Sequence, residues 1–217
     1  MGRTIFVGDV HACRDELLAL LDKVAFTESD QLVMVGDLVV RGPDPRGTLE
    51  LLREARAVSV RGNHEDRLLR YYERPAENPL GALAFATAKA LSKRDWVFLS
   101  SLPLWLDFPA HSVRVVHAGL APGVPIEKQD PHTLMYTRCI DSSGAPTEKR
   151  GYVLWGKLYK DLPHVVFGHN ARVEPQLHPC ATGLDTGCVY GGSLTAYIPE
   201  EERLVQVAAR KAYFAKE

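Results

Sequence analysis

The chain has 217 residues, enough for one well-buried domain spanning 1–217. With 26 Lys and Arg against 27 Asp and Glu, its formal net charge of -1 excludes bulk attraction to nucleic acid or an anionic membrane, so any polyanion must be held locally. Hydrophobic residues at 46% and charged residues at 24% match an ordinary globular protein rather than a disordered or fibrous one.

Met1-Gly2-Arg3 runs straight into an apolar strand without a signal-like stretch, and no uncharged run reaches about 18 residues, so a cytoplasmic location is expected. Cys13, Cys139, Cys180 and Cys188 form no C-x-x-C pair and read as reduced, mostly buried thiols. No repeat or heptad pattern is visible.

In chain order, Thr4-Ile5-Phe6-Val7 reads as a buried strand ending at Gly8-Asp9-Val10-His11. Leu17, Leu18, Leu20, Leu21 and Val24 then place a helix over about 12–24. A strand at 31–35 runs into Gly36-Asp37, and Asp44 before Pro45 caps a second helix carrying Leu49, Leu51 and Leu52. The strand at 57–61 leads through Gly62-Asn63-His64-Glu65 into a third helix with Leu68, Leu69 and Tyr72. This β-α-β-α-β-α order predicts a layered α/β fold with a largely parallel first half.

Residues 75–102 form a helical excursion, helical over 82–91, which either packs beside the core or presents Trp96 as a substrate wall. Beyond it, short strands are expected at about 104–108, 113–116, 164–168, 181–184, 193–198 and 203–208. The Pro- and Gly-rich connection 119–163, with one short helix near 130–136, is long enough to be functional and should overhang the site. Residues 211–217 read as a fraying terminus, and His111, His132, His164 and His178 as surface or turn histidines.

Five apolar runs thus end in a metal-ligand type: Asp9 with His11, Asp37, Asn63, His117 and His169. Ligands in open α/β sheets bind outside the carboxyl ends of strands, so convergence there would build one site from five segments. Two carboxylates, one amide oxygen and three imidazoles suit Mn, Fe, Co or Zn, and six donors suit two ions sharing a carboxylate. Such a pair, about 3.5–4 Å apart, best serves hydrolysis of a phosphate ester or anhydride.

Gly8-Asp9-Val10-His11, Gly36-Asp37 with Arg41-Gly42, Gly62-Asn63-His64-Glu65, His117-Ala118-Gly119 and Gly168-His169 together resemble the ordered motifs of calcineurin-like metallophosphoesterases, within them the phosphoprotein phosphatase group. The resemblance implies an α/β/β/α sandwich with a dinuclear site at strand ends. It implies that Asp9, His11 and Asp37 hold one divalent ion and Asp37, Asn63, His117 and His169 a second, manganese being the first expectation and Fe, Co, Zn or Mg the alternatives. It further implies that His64 is the general acid and Arg41 a phosphate-binding arginine.

Val40 stands where Ser/Thr phosphatases carry an acid, a departure similar to symmetrical bis(5'-nucleosyl)-tetraphosphatases and ApaH-like phosphatases, as is Leu184-Asp185-Thr186-Gly187-Cys188-Val189-Tyr190-Gly191-Gly192. Without a charged partner from position 40, His64 should be a weaker acid. A departing nucleoside phosphate, with a last pKa of roughly 6, scarcely needs that proton, whereas a serine alkoxide does.

The resemblance therefore implies symmetrical hydrolysis of diadenosine tetraphosphate or related dinucleoside polyphosphates, with nucleotide-capped RNA as a related substrate. The alternatives are a protein phosphatase for Ser, Thr or Tyr and a catalytically silent metal- or nucleotide-binding module. Arg138 is either a second phosphate clamp or a solvated loop arginine, and Tyr190 either lies against substrate or packs at its turn. Trp155 and Tyr159 either stack on a base or lie buried beneath the overhanging segment. The charge balance offers no extended RNA surface.

Overall fold

The computed structural model describes residues 2–215. In chain order the elements are β1 (Thr4–Val7), α1 (Arg14–Lys23), β2 (Gln31–Met34), α2 (Pro45–Glu54), β3 (Val58–Ser59), α3 (Asn63–Glu73), α4 (Ala82–Ala90), α5 (Lys93–Ser100), β4 (Trp105–Phe108), β5 (Val113–Val116) and α6 (Pro131–Tyr136). There follow β6 (Cys139–Ile140), β7 (Pro146–Thr147), β8 (Val153–Leu154), α7 (Trp155–Leu158), β9 (His164–Phe167), β10 (Gln176–His178), β11 (Ala181–Gly183), β12 (Asp185–Thr186), β13 (Ser193–Ile198) and β14 (Arg203–Ala208).

Two sheets form the centre. One runs β12-β13-β1-β2-β3 with β14 also paired to β13, and β1, β2 and β3 are parallel. The other runs β10-β11-β9-β5-β4, parallel across β5, β9 and β11. Alternation along each strand explains why the sheets stack. Ile5, Val7, Leu32 and Met34 face the cluster shared with α1 and α2, while Phe6, Val33 and Val35 meet Val113, Val115 and Val166 of the other sheet. Val116, Val165 and Phe167 face outward onto Trp155 and Leu134. The layers are therefore helices, sheet, sheet, helices.

Asp44 caps α2 as its sequence requires, its carboxylate accepting from Gly47 N at 2.8 Å. The first helix is shorter than 12–24, because His11 (φ 44°) and Ala12 (φ 60°) take left-handed conformations that end β1's turn before α1 can begin. The third strand shrinks from 57–61 to Val58–Ser59, and the expected strand 181–184 stops at Gly183.

Two segments hold more regular structure than the sequence predicts. Residues 75–102 hold two helices, the second opened by a Ser92 and Asp95 capping box. Trp96 on that helix is 8% exposed and stacks on Tyr72 at 4.4 Å, so it packs beside the core rather than forming a substrate wall. Connection 119–163 contains a small antiparallel sheet, β7-β6-β8, besides its helices. Its two-residue strands are too short to show a period of two in sequence.

Trp155 anchors this segment. It is 1% exposed, packs on Phe167 at 4.8 Å between ring centroids, and donates from Nε1 to Ala118 O at 2.9 Å. Tyr159 is buried beside it, so both aromatics lie beneath the segment. Among the described residues no helix is long and apolar enough to cross a membrane. Trp155→Ala should cost about 3–5 kcal/mol in denaturant unfolding, and Trp155→Phe, which keeps most packing but loses the hydrogen bond, about 1 kcal/mol.

Candidate active site

Asp37 sits at the centre. Gly36 (φ 94°) and Asp37 (φ 51°) turn the chain sharply off the end of β2, and a Cβ at Gly36 would lie 2.8 Å from both Gly62 N and His117 Nδ1. Asp37 Oδ1 accepts from His64 N at 3.0 Å. Its Oδ2 faces His117 Nε2 at 3.4 Å, His11 Nε2 at 3.6 Å and His64 Nε2 at 4.0 Å. Burial alone would raise this carboxyl, but the surrounding imidazoles, His117 foremost, hold it well below the usual range.

Glu65 fixes the turn. Its carboxylate accepts backbone N–H groups from Asp37 at 2.9 Å, Leu38 at 2.9 Å, Val39 at 3.3 Å and Gly62 at 3.0 Å. Burial, with Asp37 adding to it, pushes Glu65 up to about 7. One side chain therefore ties the Asp37 turn to the start of α3, which carries Asn63 and His64. Within that turn Val40 (φ 70°) and Arg41 (φ 75°) are also left-handed, a rare state for a β-branched residue.

Asn63, His117 and His169 form the other half. His117 Nδ1 lies 2.8 Å from Val35 O and His169 Nε2 lies 3.1 Å from Tyr136 O. A carbonyl only accepts, so each neutral ring carries its proton there. The remaining nitrogens, His117 Nε2 and His169 Nδ1, face Asn63 Oδ1 at 3.1 and 3.0 Å. With both rings neutral, lone pairs of two imidazoles and an amide oxygen converge beside Asp37, the arrangement a cation completes. A proton competes for that position: burial lowers His117, but Asp37 and Asp9 outweigh it and raise it to about 10.

Among the described residues three clusters of metal-ligand types have donor atoms within 4.8 Å of one another: besides Cys13, Glu16 and Cys188, the two at this site are His11, Asp37 and His64, and Asp37, His117 and His169. Asp9 is outside both. Its oxygens accept from His169 N at 3.2 and 3.0 Å, and a Cβ at Gly168 would fall 1.9 Å from Asp9 Oδ1, so only glycine allows this approach. Burial, then the neighbouring Asp185 carboxylate, pushes Asp9 up. Burial holds His11 down to about 4 and His64 down to about 3, with Asp37 opposing in each case.

Above this floor lies a cavity of about 310 Å³ whose wall carries Arg41, Arg67, Arg138 and Arg150. Arg138 is half-buried, donates from Nη1 to Glu148 O at 3.1 Å and has its Nε buried without a partner, so it is not a solvated loop arginine. Arg41 Nη1 lies 3.4 Å from His11 Nε2, and its guanidinium is flanked by Tyr190 at 5.6 Å and Phe214 at 5.4 Å.

Phe214 belongs to the segment expected to fray. Instead Tyr213 N and Phe214 N donate to Val189 O at 2.9 and 3.0 Å, and Tyr213 Oη donates to buried Glu16 at 2.7 Å. Residues 216 and 217 lie outside the described residues. Sequence reasoning missed Arg67, Arg150, Asp185 and Phe214 as cavity residues; only Asp185 stood inside a quoted motif.

The calcineurin-like phosphoesterase family model matches residues 2–203. The chain belongs to that family. It is 30% identical to the asymmetrical bis(5'-nucleosyl)-tetraphosphatase PrpE of Oceanobacillus iheyensis, over 97% of this chain and 94% of the relative. It is also 30% identical to the symmetrical bis(5'-nucleosyl)-tetraphosphatase of Shewanella loihica, over 96% and 99%. A crystal structure described as a candidate diadenosine tetraphosphatase superposes with a TM-score of 0.87 at 38% identity, covering 96% of this chain and 94% of that one.

Calcineurin-like phosphoesterases are hydrolases that use divalent metal ions, and the converging lone pairs at Asn63 fit that use. Glu65→Gln tests how the turn is held, since an amide nitrogen would oppose two of the four backbone N–H groups. It should lose about 2–4 kcal/mol in thermal or denaturant unfolding, and metal uptake should fall with it.

Proposed function

We propose that this chain hydrolyses the phosphoanhydride of dinucleoside polyphosphates, typically diadenosine tetraphosphate cut to two nucleoside diphosphates, with nucleotide-capped RNA as a related substrate. The observation that carries the reading is a single cavity with converging nitrogen and oxygen donors on its floor and four guanidinium groups on its walls. A phosphoanhydride chain brings roughly one negative charge per phosphate, so four arginines suit a tetraphosphate, while a monoester would leave most of them unpaired.

In this reading Asp9, His11 and Asp37 hold one ion and Asp37, Asn63, His117 and His169 the other, manganese being our choice. Bound there, the pair supplies Lewis acidity and a water of lowered pKa. His64 donates a proton to the leaving oxygen once substrate phosphate beside it offsets the burial that holds it down, Arg41 and Arg138 grip phosphate oxygens, and Tyr190 with Phe214 keeps the Arg41 guanidinium aimed into the cavity. Asn63 also borders the phosphate, and Asp37 orients the His64 backbone. The reaction is placed in the cytoplasm.

A second reading changes only the cut. The Oceanobacillus iheyensis relative is named asymmetrical, so the same substrate could yield a monophosphate and a triphosphate. Chromatography of products from diadenosine tetraphosphate and the metal-loaded protein tests both. Adenosine diphosphate alone is expected; adenosine monophosphate with adenosine triphosphate would move the cut, and preferential turnover of a phosphopeptide would overturn the substrate class. Asp37→Asn should lower turnover by about 10²- to 10⁴-fold and His64→Ala by less, about tenfold, because a departing nucleoside phosphate scarcely needs its proton; unchanged turnover in both would remove the site assignment.

Position 40 gives a sharper test of leaving-group chemistry. Val40→Asp introduces the acid that the resemblance to protein phosphatases pairs with the acid histidine, at a left-handed position that Asp tolerates better than Val. Phosphoserine turnover should rise relative to diadenosine tetraphosphate, by about tenfold in the kcat/KM ratio. An unchanged ratio would mean that protonation does not distinguish the two substrates.

A further inference from the structure

A second groove of about 360 Å³ adjoins the catalytic cavity, and Arg67 lines both. The groove is bounded by His132 and Tyr136 of α6 and by Asn78, Leu80 and Arg70. Tyr136 connects it to the donor cluster directly. Its carbonyl faces His169 Nε2 at 3.1 Å, and its ring centroid lies 6.3 Å from that of His169.

The chemistry of the groove is that of a base platform. His132 and Tyr136 stack at 4.4 Å with their planes 13° apart, and the His132 side chain is 58% exposed, so the stack is open on its outer side. Leu80 adds an apolar wall. Asn78 Nδ2 is committed to the carbonyls of Arg70 at 3.3 Å and Arg74 at 3.2 Å, while its Oδ1 accepts no hydrogen bond among the described residues and remains available to an exocyclic amine.

The two arginines differ in the same way. Arg70 is taken up by Asp66 and by Tyr136 Oη at 3.1 Å. The Arg67 side chain makes no hydrogen bond or ion pair among the described residues, and it stands where a chain of phosphates would pass from one cavity to the next.

We propose that this groove is a nucleoside subsite: it takes one nucleoside of a dinucleoside polyphosphate, with the base on the His132–Tyr136 stack and Arg67 on the phosphates between. This deepens the function proposed above and rests on it. Aromatic stacking tolerates every base, so the subsite selects for the presence of a second nucleoside more than for its identity.

Steady-state kinetics of the metal-loaded wild type, His132→Ala and His132→Phe test it with two substrates, diadenosine tetraphosphate and p-nitrophenyl phosphate. His132→Ala should raise KM for the dinucleotide about tenfold with kcat nearly unchanged, and leave both constants for p-nitrophenyl phosphate at wild-type values. His132→Phe keeps a ring but loses the 3.2 Å ion pair to Glu148, and should restore the dinucleotide KM. A dinucleotide KM within twofold of wild type in His132→Ala, or an equal rise for p-nitrophenyl phosphate, overturns the subsite alone. A wild type that cleaves p-nitrophenyl phosphate but no dinucleotide overturns the function and the subsite together.

Discussion

The structure depends on one buried carboxylate kept charged at the end of a central strand. Asp37 is 2% exposed, and at an effective dielectric of about 20 each unit charge roughly 4 Å away is worth about 4 kcal/mol to it. His117, His11 and His64 surround it at 3.4, 3.6 and 4.0 Å. Cationic charge must gather there to offset desolvation, as protons or as metal ions. The backbone is bent to the same end: Gly36, Asp37, Val40 and Arg41 are left-handed, and Glu65 closes the turn through four N–H groups.

Stacking of the two sheets makes the convergence possible. β1, β2 and β3 end beside one another in one sheet, and β5 and β9 end beside one another in the second, so five loops meet over a shared edge. His117 shows the coupling most clearly: it leaves β5 yet its Nδ1 faces the carbonyl of Val35, at the end of β2, at 2.8 Å. Packing of Phe6, Val33 and Val35 on Val113, Val115 and Val166 therefore sets the spacing of the donors, and stability and chemistry share the same contacts.

Much of this was legible in the sequence because strands buried on both faces read as apolar runs, and glycine before a polar residue marks where they end. Tertiary contact decided what was not. The Glu65 side chain was quoted only as part of a motif, since nothing local says that it reaches back 28 residues to the Asp37 amide. Arg67 and Arg150 carry no signal beyond their charge, and Phe214 stands in a polar tail whose order comes from Val189 and Glu16. The capping box at Ser92 and Asp95 was a readable sign of α5 that the Ala-rich helix before it obscured. Asp9, expected among the metal donors from its strand-end position, also accepts from the amide of His169, a contact across 160 residues that nothing local announces.

Whether cations do gather on both sides of Asp37 is open to direct measurement. Crystals grown with manganese and recorded at an anomalous wavelength should show two peaks about 3.5–4 Å apart, one toward His11 and one toward Asn63, His117 and His169, with the Asp37 carboxylate between them. A single peak, or peaks remote from Asp37, would contradict the claim that this buried acid is the shared ligand of a metal pair.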